Sequence, residues 1–262
     1  MGRPALLLGA ALWACSPVVR APPMLRQPMG LQPHAAPNQA VTNAQLQALM
    51  MQRLDGLASV LQPLCGPRCH FLMMQPDPKL DGPMELHRQT PNEFVVHYRA
   101  DEFQMIFPDY ESVVIYALAH EMGHYIDIAV AGSNPNDTWD REISADVIAG
   151  CALALRGVRL DLVRAAFAAT APEGSIDSRL DLVCGSDNEH PAARWGLGAI
   201  ETGAQLCHSG IVPLKRLETE AANVAQDAKQ TAETARRSLP PLADPCRWRR
   251  VGRGPRTTRT DG

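Results

Sequence analysis

Five consecutive residues near the middle of the chain, His120-Glu121-Met122-Gly123-His124, combine two imidazoles and a carboxylate at a spacing suited to metal chemistry. On a helix, positions four apart share a face, so the two rings point the same way. Neutral imidazoles suit a divalent zinc ion, which prefers nitrogen and sulfur donors in a tetrahedral shell. Glu121 projects about 100° around the helix from His120. From there it can take a proton from a zinc-activated water and hand it to a leaving amine. Gly123 spares this crowded face a side chain. Val113 and Ala117 continue the His120 stripe backwards and are expected to pack beneath the site.

A catalytic zinc needs a third protein ligand and an open fourth position. Glu142-Ile143-Ser144-Ala145-Asp146 falls on the next expected helix. If that helix packs antiparallel, Glu142 returns to the ion as the third ligand. Asp146, one turn further along the same face, can accept the second ring N–H of a ligating imidazole and fix its tautomer. Asp127 competes for the third position and ranks behind Glu142. The plain alternative is a pair of surface carboxylates and two histidines on a core or solvated face, with the motif accidental.

HExxH followed by Glu-x-x-Ala-Asp resembles the gluzincin metallopeptidases, in particular the family that includes the CAAX prenyl protease and its bacterial relatives. The likeness runs from about Val95 to Trp195. It implies one zinc ion held by His120, His124 and Glu142, with Glu121 as general base and Asp146 supporting a ligand. The family also tends to carry a His-Pro segment with a later arginine, matched here by Glu189-His190-Pro191-Ala192-Ala193-Arg194. By that likeness His190 helps hold the tetrahedral intermediate, and a histidine at a helix start can reach an oxyanion. Arg194 stands two positions earlier than the family pattern places its arginine. The metzincin pattern is not followed: it wants glycine at 127 and histidine at 130, where this chain has Asp127 and Val130. Nor does any segment read as the membrane helices of several relatives.

The elements that must position these residues read as an α+β fold, a mainly helical zincin-like domain with a small β-sheet edge before the zinc helix. Leu46, Leu49, Met50, Leu54, Leu57, Val60 and Leu61 recur every three or four residues, which predicts an amphipathic helix from Asn43 to about Leu64. His70 to Met74 and Asn92 to Arg99 read as strands, separated by a turn-rich segment from Pro76 to Pro91. Phe94 to Tyr98 is the candidate edge strand that could pair with extended substrate. From Tyr110 onward helices are expected at Glu111–Val130, from Asp137 or Thr138 to Arg156, at Arg159–Ala169, Pro191–Leu206 and Pro213–Arg237. Gly132 and Pro135 end the first of these, and the charge-rich last one reads as a solvated surface helix.

The ends carry different expectations. A short positive start and the apolar run Ala5–Ala14 read as an export signal over residues 1–21. In one version Cys15 is lipidated and anchors the protein to a membrane; in the other, cleavage follows Val19-Arg20-Ala21. Residues 22–40 read as a linker, 41–240 as the metallopeptidase domain and 241–262 as a basic tail without fixed structure. The 7 cysteines fit an oxidising compartment. Cys65 and Cys69 are plausible partners, Cys184 and Cys207 bracket a second segment, and Cys151 reads as a buried thiol. A formal charge of −3 with pI near 6.2 gives no reason to expect nucleic acid as a partner. The expectation is therefore a zinc endopeptidase of the bacterial periplasm or cell envelope, or a secreted one, acting on polypeptide substrates. The alternatives are a zinc-binding but non-hydrolytic assembly factor or chaperone, and an all-helical interaction protein.

Overall fold

A computed structural model describes residues 42–80, 83–90, 93–106, 111–132, 138–170 and 193–238. The export signal, Cys15, the linker, Cys184, His190 and the basic tail lie outside the described residues. Helix α1 (Asn43–Cys65) opens on a reciprocal cap: Gln45 N–H donates to Thr42 Oγ1 at 3.3 Å, and Thr42 N–H donates to Gln45 Oε1 at 2.9 Å. Both otherwise orphaned donors are thereby satisfied. Its buried stripe of Leu46, Met50, Leu54, Leu57, Leu61 and Cys65 follows the expected periodicity. A 3-10 turn (Gly66–Phe71) comes next, across which Cys65 and Cys69 stand at disulfide distance with Cα atoms 5.4 Å apart.

Strands β1 (Leu72–Pro76), β2 (Met84–Thr90) and β3 (Glu93–Tyr98) form one sheet in the order β1-β3-β2. β1 runs parallel to β3 with Leu72 opposite Phe94, and β2 runs antiparallel to it with Leu86 opposite Val96. Two expectations fail here. Phe94 to Tyr98 is the central strand rather than an edge, because Phe94, Val95, Val96 and Tyr98 are buried on both faces, the pattern of an enclosed strand. β2 takes up much of the segment read as turns. Its signal is the alternation of Met84 and Leu86 with Glu85 and His87, and it supplies one of the true edges.

Helix α2 (Ala100–Ile106), also unforeseen, leads to α3 (Glu111–Tyr125). The single helix expected through Val130 changes pitch instead: Ile126–Ala131 is a π-helix, closed by Gly132 at φ 70° with its N–H on the Asp127 carbonyl. Glycine adopts this left-handed conformation without a Cβ penalty. Then follow α4 (Thr138–Leu155), α5 (Leu160–Thr170), α6 (Ala193–Cys207) and α7 (Leu214–Ser238). α4 is the central rod, with every residue from Glu142 to Leu153 buried and α3, α6 and α7 packed around it. The α4–α6 contact is close enough that a Cβ on Gly203 would overlap the Val147 carbonyl. Cys151 on α4 faces Cys207 on α6 at disulfide distance, with Cα atoms 5.0 Å apart. Cys207 therefore meets Cys151 rather than Cys184, and Cys151 is not an isolated thiol. α7 is charged outward, yet Leu217, Ala221, Ala225, Ala228, Ala232 and Ala235 are buried along one face. The result is a mostly helical α+β arrangement with a small sheet. Among the described residues no helix is long and apolar enough to cross a membrane.

Candidate metal centre

The site is built where α3 crosses α4. On α3, Val114, Ile115, Leu118, Ala119 and Met122 are buried in the core, which turns Tyr116, His120 and His124, each four residues apart, towards α4. Tyr116 and His120 meet Asp146, whereas His120 and His124 meet Glu142, one turn earlier on α4. The two helices therefore run antiparallel. They touch where Gly123 lies against the Ala145 backbone, and a Cβ at 123 would overlap it. The missing side chain serves the helix contact itself, more than the room around the motif.

Three donors converge. His120 Nε2 and His124 Nε2 are 3.0 Å apart. Glu142 places Oε2 at 3.1 Å from His120 Nε2 and Oε1 at 3.4 Å from His124 Nε2. A tetrahedral ion with ligands at roughly 2.0–2.1 Å has ligand–ligand edges of about 3.3–3.4 Å, so each of these separations is near the edge length of such a polyhedron. The three side chains are 11%, 16% and 10% exposed, enclosed yet open to a small ligand. Among the described residues this is the one group of three or more histidine, cysteine or acidic side chains whose donors lie close enough to hold a metal ion. Two imidazole nitrogens and a carboxylate oxygen form a donor set that a first-row divalent ion accepts.

Behind the triangle, Asp146 Oδ1 lies 2.8 Å from His120 Nδ1 and also accepts the Tyr116 hydroxyl at 2.8 Å. A carboxylate on Nδ1 leaves the Nε2 lone pair directed at the shared point. The charges follow from this packing. Burial disfavours a charged His120, but the facing Asp146 and Glu142 outweigh it and hold the imidazole well above its ordinary pKa. Burial likewise opposes ionised Glu142, but hydrogen bonds from His120 and His124 pull it far below the usual carboxylate range. Burial, then the charges of Asp146, Glu142 and Glu121, push the Tyr116 hydroxyl well up, so it stays a donor.

Glu121 is buried on α3, within electrostatic reach of Tyr116, and is not one of the three converging donors. Asp127 is apart from them too: it is buried in the π-helix and accepts the Ser144 hydroxyl at 3.1 Å. Asp127 and Ser144 line a cavity of about 860 Å³ between the π-helix, α4 and α7, and none of His120, His124 and Glu142 borders it. The three donors therefore lie between α3 and α4, apart from this larger space. Val113 and Ala117, expected beneath the site, are only partly buried, and Tyr116 occupies the position that matters. Tyr116 was missed although a signal existed, since it lies one helical turn before His120. Arg194 has its guanidinium carbon 5.5 Å from the centre of the neighbouring Trp195 ring, and His190 lies outside the described residues. No protein-family model matches the chain, and no curated protein or solved structure matches it either.

Proposed function

We propose that this chain is a zinc-dependent endopeptidase of the gluzincin kind. The observation that carries the reading is the convergence of His120, His124 and Glu142 on one point, with Asp146 on the far nitrogen of His120. His120, His124 and Glu142 would hold the zinc, leaving its fourth position to solvent. When bound there, zinc acidifies water and polarises a carbonyl oxygen. Glu121 takes the proton of the attacking water and delivers it to the amine nitrogen as the peptide C–N bond breaks. His190 is assigned to the developing negative charge on the carbonyl oxygen. The β2 strand, an edge packed near α3, offers its backbone to an extended polypeptide. Cysteine pairs at disulfide distance support an exported protein of the envelope, with Cys15 as the lipid attachment point.

The test pairs elemental analysis with Glu121→Gln. Wild-type protein should carry one zinc per chain and cleave an unfolded polypeptide, with chelator abolishing cleavage. Glu121→Gln should keep the zinc and lose activity by roughly 10²–10⁴-fold, the usual contribution of a general base. Undiminished cleavage by the variant overturns the role of Glu121. Zinc without any cleavage in the wild type points to the non-hydrolytic assembly factor or chaperone instead.

A further inference from the structure

We propose that Tyr116 is a positioning residue of the metal centre: its hydroxyl clamps Asp146 so that His120 presents Nε2, and not Nδ1, to the ion. The proposal rests on the reading of His120, His124 and Glu142 as ligands. Three residues of α3 at helical spacing, Tyr116, His120 and His124, face α4, but only the last two reach the point of convergence. Tyr116 instead reaches over His120, with ring centres 5.9 Å apart and planes tilted by 52°. Its Oη donates to the same Asp146 oxygen that stands against His120 Nδ1.

Two donors on one carboxylate oxygen have a definite consequence. With the imidazole alone, a carboxylate can rotate about its last torsion and exchange oxygens, because that torsion is broad and roughly two-fold. With a phenol and an imidazole arriving from the same helix, one oxygen is committed to both and the plane is fixed. The phenol also takes up part of the acceptor strength of Asp146, which favours His120 keeping its Nδ1 proton rather than surrendering it. Asp146 is 4% exposed, so little water can replace a lost donor. A buried acceptor stripped of its partner is costly, and the nearest way to relieve that cost is a turn of Asp146 or His120 away from its present position. Tyr116 therefore acts on the ion through two intermediaries and touches neither ion nor substrate.

Tyr116→Phe removes one oxygen and keeps the ring. In the full-length protein, zinc affinity measured by chelator competition should fall about tenfold, the lower end of what loss of a partner behind a metal ligand costs. In the metal-free protein, at a pH high enough for the His120 ring to be neutral, its ¹⁵N signals should move from a single Nδ1–H tautomer to a mixture. A merely structural tyrosine would lower the unfolding midpoint without changing that tautomer. Combining Tyr116→Phe with Asp146→Asn should weaken zinc no further than Asp146→Asn alone, since both act through one contact. Affinity within twofold of wild type together with an unchanged tautomer overturns the proposal. If Tyr116→Phe does not fold, the wild type decides: a majority Nε2–H tautomer at His120 in the metal-free protein, read at the same high pH, also overturns it. Wild-type protein that binds no zinc defeats the reading of the site, while the tautomer measurement still tests the clamp.

Discussion

Two histidine pairs in this molecule look alike and differ where it matters. His120 and His124 have ring centres 4.5 Å apart, and so do His87 and His97 on strands β2 and β3. Each pair has carboxylates close by: Glu142 and Asp146 for the first, and for the second Glu85 at 3.2 Å from His87 and Asp77 at 3.7 Å from His97. Yet only the helical pair gathers three donors within reach of a single ion. The strand pair stands out from one face of a sheet, and each ring takes its own neighbour. The helical pair projects from one rod towards a second rod, which returns a carboxylate between the two nitrogens. His87 is 41% exposed against 11% for His120, so water competes for its contact with Glu85. Ring proximity does not make a metal site; donors aimed at a common point do.

That contrast can be broken most sharply at Glu142. Glu142→Ala should weaken zinc by more than the roughly 10–100-fold that loss of an outer partner costs, whereas His87→Ala and His97→Ala should leave the zinc content measured by elemental analysis unchanged. Loss of zinc from either strand variant would erase the distinction. Next in size is the helix contact that aims Glu142. Gly123→Ala sets a Cβ into the Ala145 backbone, and overpacking of this kind costs about 1–3 kcal/mol. Denaturant unfolding should show that loss, accompanied by weaker zinc binding as α4 moves away. A variant as stable as wild type would mean that the helices are free to separate.

The smallest effect is one of pH, read in metal-free protein. His120 is raised above its ordinary 6.5 and Glu142 lowered from 4.5. The stabilisation from His120 is complete below the unfolded value and fades as pH rises through the raised folded value. That from Glu142 is present above its unfolded value and fades as pH falls towards its lowered folded one. Both act together between about 4.5 and 6.5, so metal-free thermal stability should be greatest there relative to Glu142→Gln. Zinc affinity should run the other way, rising with pH as the ion displaces the His120 proton. A Glu142→Gln variant whose metal-free stability matches wild type across that range would contradict the assignment.

The metal-facing helices were legible because helical periodicity is local. His120 and His124 share a face by spacing alone, and α1, α3 and α4 begin at Asn43, Glu111 and Thr138 as expected. The π-helix was not legible, since Ile126 to Ala131 is apolar under either pitch. β2 hid in a segment punctuated by Pro76, Pro83 and Pro91, where turn residues masked a short alternation. β3 was found but misplaced, because a strand's own residues do not state how many neighbours it will have. Tyr116 escaped because a tyrosine near a motif acquires meaning only from the partner it meets on another helix.

The order of residues alone determined that two imidazoles and a carboxylate would stand on one short helix, since a 3.6-residue turn depends on nothing beyond its neighbours. It also supplied Glu142 and Asp146 one turn apart on the next helix. Only the tertiary structure decided that Glu142 and not Asp127 closes the triangle, that Asp146 serves His120 and Tyr116 together, and that Cys207 lies against Cys151. Those choices depend on the direction and closeness with which α4 crosses α3 and α6. Such crossings are set by glycine contacts and buried surfaces far apart in the chain, and local spacing carries no record of them.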